Sequence, residues 1–177
     1  MFLQAPIETC RPVTLAMADL VVSHDPRASL RTLPLGAGLA VAIYDPIAKV
    51  GGLLHSLLPT SVLDPQFAVR RPGMFLDTGL AALLGRALQF KAGKENLHVC
   101  VAGAAQIMDQ TTLFDIGPRN YKRLTELLAV EGLKIDAEDV GGKTSCSMEL
   151  ILATGEVRVK FSGQRIARTL CKPLKTI

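Results

Sequence analysis

Residues 33–59, LPLGAGLAVAIYDPIAKVGGLLHSLLP, constrain the fold more than any other part of the chain. Two apolar runs rich in branched side chains, residues 35–44 and 50–58, flank the turn formers Asp45 and Pro46, the pattern of a hairpin of buried strands. A Gly-x-Gly turn, Gly36-Ala37-Gly38, feeds the first strand, and a single histidine, His55, closes the second. A histidine at the end of a buried strand, beside such a turn, sits where a general base would serve a reactive side chain carried on the turn. The turn offers only glycine and alanine. The segment therefore reads as an active site without its nucleophile.

The rest of the chain supplies more strands and two helices. Apolar alternation and turn residues predict strands over residues 14–22, 97–102, 134–138, 146–152 and 156–161, with Thr154-Gly155 turning a second hairpin. Leu76, Leu80, Leu83, Leu84, Ala87 and Leu88 recur at helical spacing over residues 75–90, with Gly93 beyond the end. A second helix opens near Pro118, carries Tyr121, Leu124, Leu127 and Leu128 on one face, and stops at Gly132. Seven strands and two helices without regular alternation predict an α+β layered fold rather than a doubly wound sheet.

A chain of 177 residues with 49% hydrophobic content suits one domain with a sizeable core. The domain is expected over residues 1–161. Residues 157–177 hold six basic side chains and no acid, leaving 14 basic against 16 acidic residues before them, so residues 162–177 read as a flexible basic tail that either touches an acidic partner or aids solubility. With aromatics at 5% and a slightly acidic body, a nucleic-acid partner is excluded. No apolar run approaches the ~18 residues of a membrane span, and the N-terminal MFLQAPIETCRP lacks a charged start followed by an apolar stretch, so membrane insertion is not expected and a cytoplasmic protein is. Cys10, Cys100, Cys146 and Cys171 form no C-x-x-C pair, which suggests reduced thiols, no zinc site and no cofactor.

Thr32, Leu35, Gly36, Val41, Asp45, Pro46, Lys49, Gly51, Gly52, His55, Leu58 and Pro59 together resemble the leading signature of the CheD family of chemoreceptor glutamine deamidases. The family's Ser-Cys pair is here Ala37 and Gly38. Pro72, Gly73, Asp77 and Thr78, the segment Ala102-Gly103-Ala104, the run IGPRN at 116–120 and the run AEDVGG at 137–142 extend the resemblance in order over about residues 17–160. It implies a β-sandwich with two helices packed on one face. It also implies a catalytic cysteine, histidine and threonine at the positions of Gly38, His55 and Thr32.

In that chemistry a thiolate attacks the glutamine amide, ammonia leaves, and the histidine takes and returns the proton. Glycine has no side chain with which to attack, so the resemblance implies an impaired deamidase. Cys146 stands where the family carries an arginine and is a candidate relocated nucleophile, although an inert strand cysteine is the expected description. Cys100 reads as core. Ala104 stands at a family glycine, and Met74 and Phe75 replace a lysine and a tyrosine.

The resemblance implies binding to methyl-accepting chemoreceptors or to a CheC-type phosphatase. An exposed apolar pair, Ile107 and Met108, is the expected docking point, with folding back onto the core as the equal alternative. Two other functions stay open: a deamidase that uses Cys146, and an adaptor outside chemotaxis on the same fold.

Overall fold

The computed structural model describes residues 11–106 and 115–172. Its strands are β1 (Arg11–Leu15), β2 (Asp19–Ser23), β3 (Ala28–Thr32), β4 (Leu39–Asp45), β5 (Val50–Ser56), β6 (His98–Gly103), β7 (Ile135–Val140), β8 (Cys146–Ile151), β9 (Glu156–Phe161) and β10 (Arg168–Cys171). Its helices are α1 (Pro65–Arg70), α2 (Leu76–Gln89) and α3 (Ile116–Val130). The strands form two five-stranded mixed sheets, one in the order β1-β3-β8-β9-β10 and the other β2-β5-β4-β6-β7. This is the α+β sandwich that the sequence predicts.

The layering follows from β4 and β5, which are buried along their whole length. Because successive side chains leave a strand on opposite faces, Leu39, Val41 and Ile43 enter a core with α2 and α3, while Ala40, Ala42 and Tyr44 enter a second core against the other sheet. A strand covered on both faces requires a layer on each side. Here one layer is the helix pair and the other is the β1-β3-β8-β9-β10 sheet.

The β4–β5 turn is fixed by the fully buried Asp45. Its carboxylate accepts from the Ile47 and Ala48 backbone N–H groups at 2.7 and 3.0 Å and from the Gly93 N–H at 2.7 Å. One side chain thus closes the hairpin and ties the segment after α2 to it. The Asp77-Thr78 step has a similar anchoring role. Asp77 accepts from the Ser61 N–H, and Thr78 Oγ1 donates to the Pro72 carbonyl at 2.7 Å.

Four features differ from the sequence expectation, the first being α1, a third helix whose six residues are too few to show a helical period. Residues 14–22 are two strands in different sheets, broken at Ala18, whose φ is 62°. β3 was not predicted, because its burial is nearly continuous and a five-residue run shows no alternation. β10 lies within the basic segment after Phe161 and pairs with β9, with Arg168 stacked over the Phe161 ring and ion-paired to Asp139. Among the described residues no helix is long and apolar enough to cross a membrane.

Asp45→Ala is expected to cost about 2–3 kcal/mol, because three backbone donors lose a charged acceptor. Chemical denaturation monitored by circular dichroism measures it.

Candidate active site

Residues 33–38 cross from one sheet to the other, and this crossing gathers the residues singled out in the sequence. Thr32 ends β3, Gly38 immediately precedes β4, His55 is the penultimate residue of β5, and Cys146 begins β8. β5 faces β3 and β8 across the inter-sheet layer. By strand alternation His55 shares the face of Leu53, Thr32 that of Leu30, and Cys146 that of Met148 and Leu150, all of them members of the inter-sheet core. Ile107 and Met108 lie outside the described residues.

The three side chains share a layer but make no catalytic contacts. His55 is fully buried, and neither ring nitrogen has a hydrogen-bond partner. Thr32 is therefore not bonded to His55; its hydroxyl accepts from the Met148 N–H at 3.0 Å. Cys146 is not bonded to it either. Its backbone exchanges two hydrogen bonds with Leu35, at 2.8 and 3.0 Å, and burial pushes its thiol up to about 11. Burial likewise holds the His55 imidazole below its ordinary pKa.

The turn itself is held by every carbonyl it carries. Gly36 accepts from the Ala105 N–H at 2.9 Å, Gly38 from the Ala104 N–H at 2.8 Å, and Ala37 from the Asn120 side-chain amide at 3.0 Å. Asn120 donates as well to the Leu57 carbonyl at 2.8 Å, so it clamps the turn to the exit of β5. Beyond its place in the run at 116–120, Asn120 carries no functional expectation from the sequence. The available signal was its position four residues ahead of Leu124, which places a polar residue on the buried face of α3.

Gly38 has no left-handed φ, and its constraint is space. A Cβ there would stand 2.6 Å from the Ser56 carbonyl oxygen and 3.3 Å from Leu57 Cδ2, so a side chain requires the turn or the end of β5 to move. The facing segment carries the torsional strain. Gly103 has φ 113° and no room for a Cβ against Leu35 and the Gly38 carbonyl, while Ala104 is held at φ 54° with a side chain. Among the described residues no cluster of three or more His, Cys, Asp or Glu could hold a metal.

A family model described as CheD chemotactic sensory transduction matches residues 57–161. The chain is similar to "Probable chemoreceptor glutamine deamidase CheD 2" of Anaeromyxobacter dehalogenans, 41% identical over 155 residues that cover 88% of this chain and 97% of the relative. A second relative, "Probable chemoreceptor glutamine deamidase CheD 1" of Syntrophus aciditrophicus, is 41% identical over 85% of this chain and 94% of its own length. The CheD of Pyrococcus abyssi is 33% identical over 89% and 98%.

The buried His55 predicts a specific acid sensitivity. Well above its ordinary pKa of about 6.5, from roughly pH 7.5 upward, the imidazole is neutral in both the folded and the unfolded chain and contributes no slope. Below that, the unfolded chain binds a proton that the folded protein refuses, and stability falls by up to about 1.4 kcal/mol per pH unit until the folded pKa is reached. His55→Leu is expected to remove this slope, read as the difference in Tm between about pH 5 and pH 7.5. Ala104→Gly is expected to gain up to about 1 kcal/mol by relieving the left-handed backbone, measured by denaturant titration.

Proposed function

The chain belongs to the CheD family, and from that premise we propose that it serves chemotaxis by binding chemoreceptors, with glutamine deamidation impaired. The observation that carries this reading is Gly38. By the resemblance, Gly38 stands at the family's nucleophile position; it has no side chain, and the space a side chain would need is taken by the Ser56 carbonyl. Deamidation needs a group that attacks the amide carbon and then holds the acyl fragment while ammonia departs. Loss of the nucleophile from a cooperating set costs on the order of a millionfold in turnover. His55 cannot supply the missing step, since its ring nitrogens are sealed from solvent and have no thiol to deprotonate.

A relocated nucleophile at Cys146 is disfavoured on three counts. The sulfur is buried, its thiol is pushed up to about 11, and no hydrogen bond links it to His55. A CheC-type phosphatase is a further binding partner within the same proposal, and a cytoplasmic setting belongs to it.

The test incubates the full chain with a chemoreceptor cytoplasmic fragment and reads both co-purification and the amide-to-acid mass gain. The expected result is capture of the fragment with no deamidation above background in the wild type, and no change in Cys146→Ala. Gly38→Cys, with Ala37→Ser, is expected to give an alkylatable thiol at a lowered Tm, because the turn must shift to admit it. Deamidation by the wild type that disappears in Cys146→Ala would overturn the impaired reading. Failure to capture the receptor fragment or a CheC-type phosphatase would leave an adaptor outside chemotaxis.

A further inference from the structure

The segment between β5 and α2 carries its apolar side chains outward. It comprises a 3-10 turn at Ser61–Leu63, helix α1 and a second 3-10 turn at Pro72–Met74. Over residues 61–74 only Ala68 and Gly73 are buried, whereas Val62, Leu63 and Val69 are 79%, 63% and 86% exposed. Helical pieces this short are not stable by themselves, and polar contacts hold them. Asp77 accepts from the Ser61 N–H at 2.9 Å and from the Thr60 and Ser61 hydroxyls at 3.1 and 3.0 Å. Asp64 caps α1 by accepting from the Phe67 N–H at 2.9 Å, and the Met74 N–H donates to the Arg71 carbonyl at 3.1 Å. The three aliphatic side chains therefore stand on a fixed frame.

The free charge on this frame is positive. The Asp64 and Asp77 carboxylates are committed to the donors just named. Arg70 and Arg71 are exposed, and among the described residues neither has a carboxylate partner. Arg70 lies over the Phe67 ring at 5.8 Å, which orients its guanidinium without neutralising it. The frame is also fastened to the site end of the sandwich. The Leu57 and Leu58 N–H groups donate to the Met74 carbonyl at 3.1 and 3.0 Å, and Asn120, which clamps the turn at Ala37, holds the Leu57 carbonyl.

We propose that residues 61–71 form the docking face for an acidic amphipathic helix of the chemoreceptor, whose apolar stripe covers Val62, Leu63 and Val69 and whose carboxylates pair with Arg70 and Arg71. The inference rests on the receptor binding proposed above and names the surface that performs it. Clustered exposed aliphatic side chains with a charged rim are the mark of an interface. Residues 61–74 contain no strand, so the face offers no sheet edge to an extended peptide and suits a partner whose own backbone is already hydrogen-bonded, a helix. The arginines select for acidity, because guanidinium–carboxylate pairs are strong and directional, while a neutral or basic helix would cover two charges without pairing them. A helix docked here lies beside the turn that carries Gly38.

The experiment measures binding of the full chain to an immobilised chemoreceptor cytoplasmic fragment at low and high salt, beside thermal melts. Leu63→Asp with Val69→Asp is expected to weaken binding about tenfold or more. Arg70→Glu with Arg71→Glu is expected to weaken it comparably at low salt and to flatten its salt dependence. Both should melt like the wild type, since the altered side chains are exposed. Arg70→Gln with Arg71→Gln, which keeps the side-chain size, carries the test should charge reversal disturb the fold. Equal binding by the wild type and all three variants overturns the docking face and leaves receptor binding standing. No binding by the wild type removes both. Variants that keep receptor binding but lose adhesion to anionic-lipid vesicles, or lose self-association, also overturn the proposal and assign the face to a membrane or to a second copy.

Discussion

Burial of β4 and β5 on both faces is the constraint on which the remaining architecture depends. These two strands carry no exposed position, so they are stable only between two apolar layers. Their glycines set how closely those layers approach. A Cβ at Gly51 would lie 2.3 Å from Cδ2 of Leu152, in the turn that follows β8, and one at Gly52 would lie 2.9 Å from Leu83 Cδ1 in α2. The adjacent glycine pair therefore faces both layers in turn, one residue toward each. Asp45, which binds the hairpin turn and the Gly93 N–H together, holds the end of the same unit.

Against this packing His55 is anomalous. A buried polar group without a partner costs about 1–3 kcal/mol, and nothing around His55 repays it, since both nitrogens are orphaned. Packing alone gives no reason for an imidazole in this position. On the reading proposed above, which rests on the family resemblance, the imidazole would be one half of a pair whose other half is a cysteine at the position of Gly38. Thr32 differs, because its hydroxyl accepts a β8 backbone N–H and so has structural work of its own.

The sequence was most legible where residue type and period agreed. The hairpin was readable from two apolar runs around Asp45-Pro46, and α2 and α3 from leucines at helical spacing. β3 was hidden because four of its five residues are buried, which leaves no alternation to read. β10 was hidden because Arg168 and its neighbours resemble a solvated charge run, although a strand at the sheet edge tolerates outward charge and Arg168 finds Phe161 and Asp139. At the site, His55 was readable from its place at the end of a buried strand beside a Gly-x-Gly turn, and Thr32 and Gly38 only through the family resemblance. Whether they touch was beyond any spacing, because contact depends on how the crossing at residues 33–38 closes over β5. Asn120 was missed for a related reason: its two carbonyl acceptors, on Ala37 and Leu57, are distant in sequence and meet only in the folded chain.

By resemblance to the family, a side chain is lost at Gly38 and one is gained at Ala104, and these two residues are joined by the Ala104 N–H to Gly38 carbonyl bond. The turn lies so close to the end of β5 that a Cβ at Gly38 would stand 2.6 Å from the Ser56 carbonyl oxygen. Gaining one at Ala104 places a methyl on a left-handed residue, at a cost in backbone strain. The three carbonyl hydrogen bonds then lock the turn in this closed position, with donors from Ala104, Ala105 and Asn120. A cysteine placed at Gly38 would consequently have to displace a turn fastened at three points, so the cost of admitting a side chain there is distributed over the segments at 36–38, 103–105 and 120.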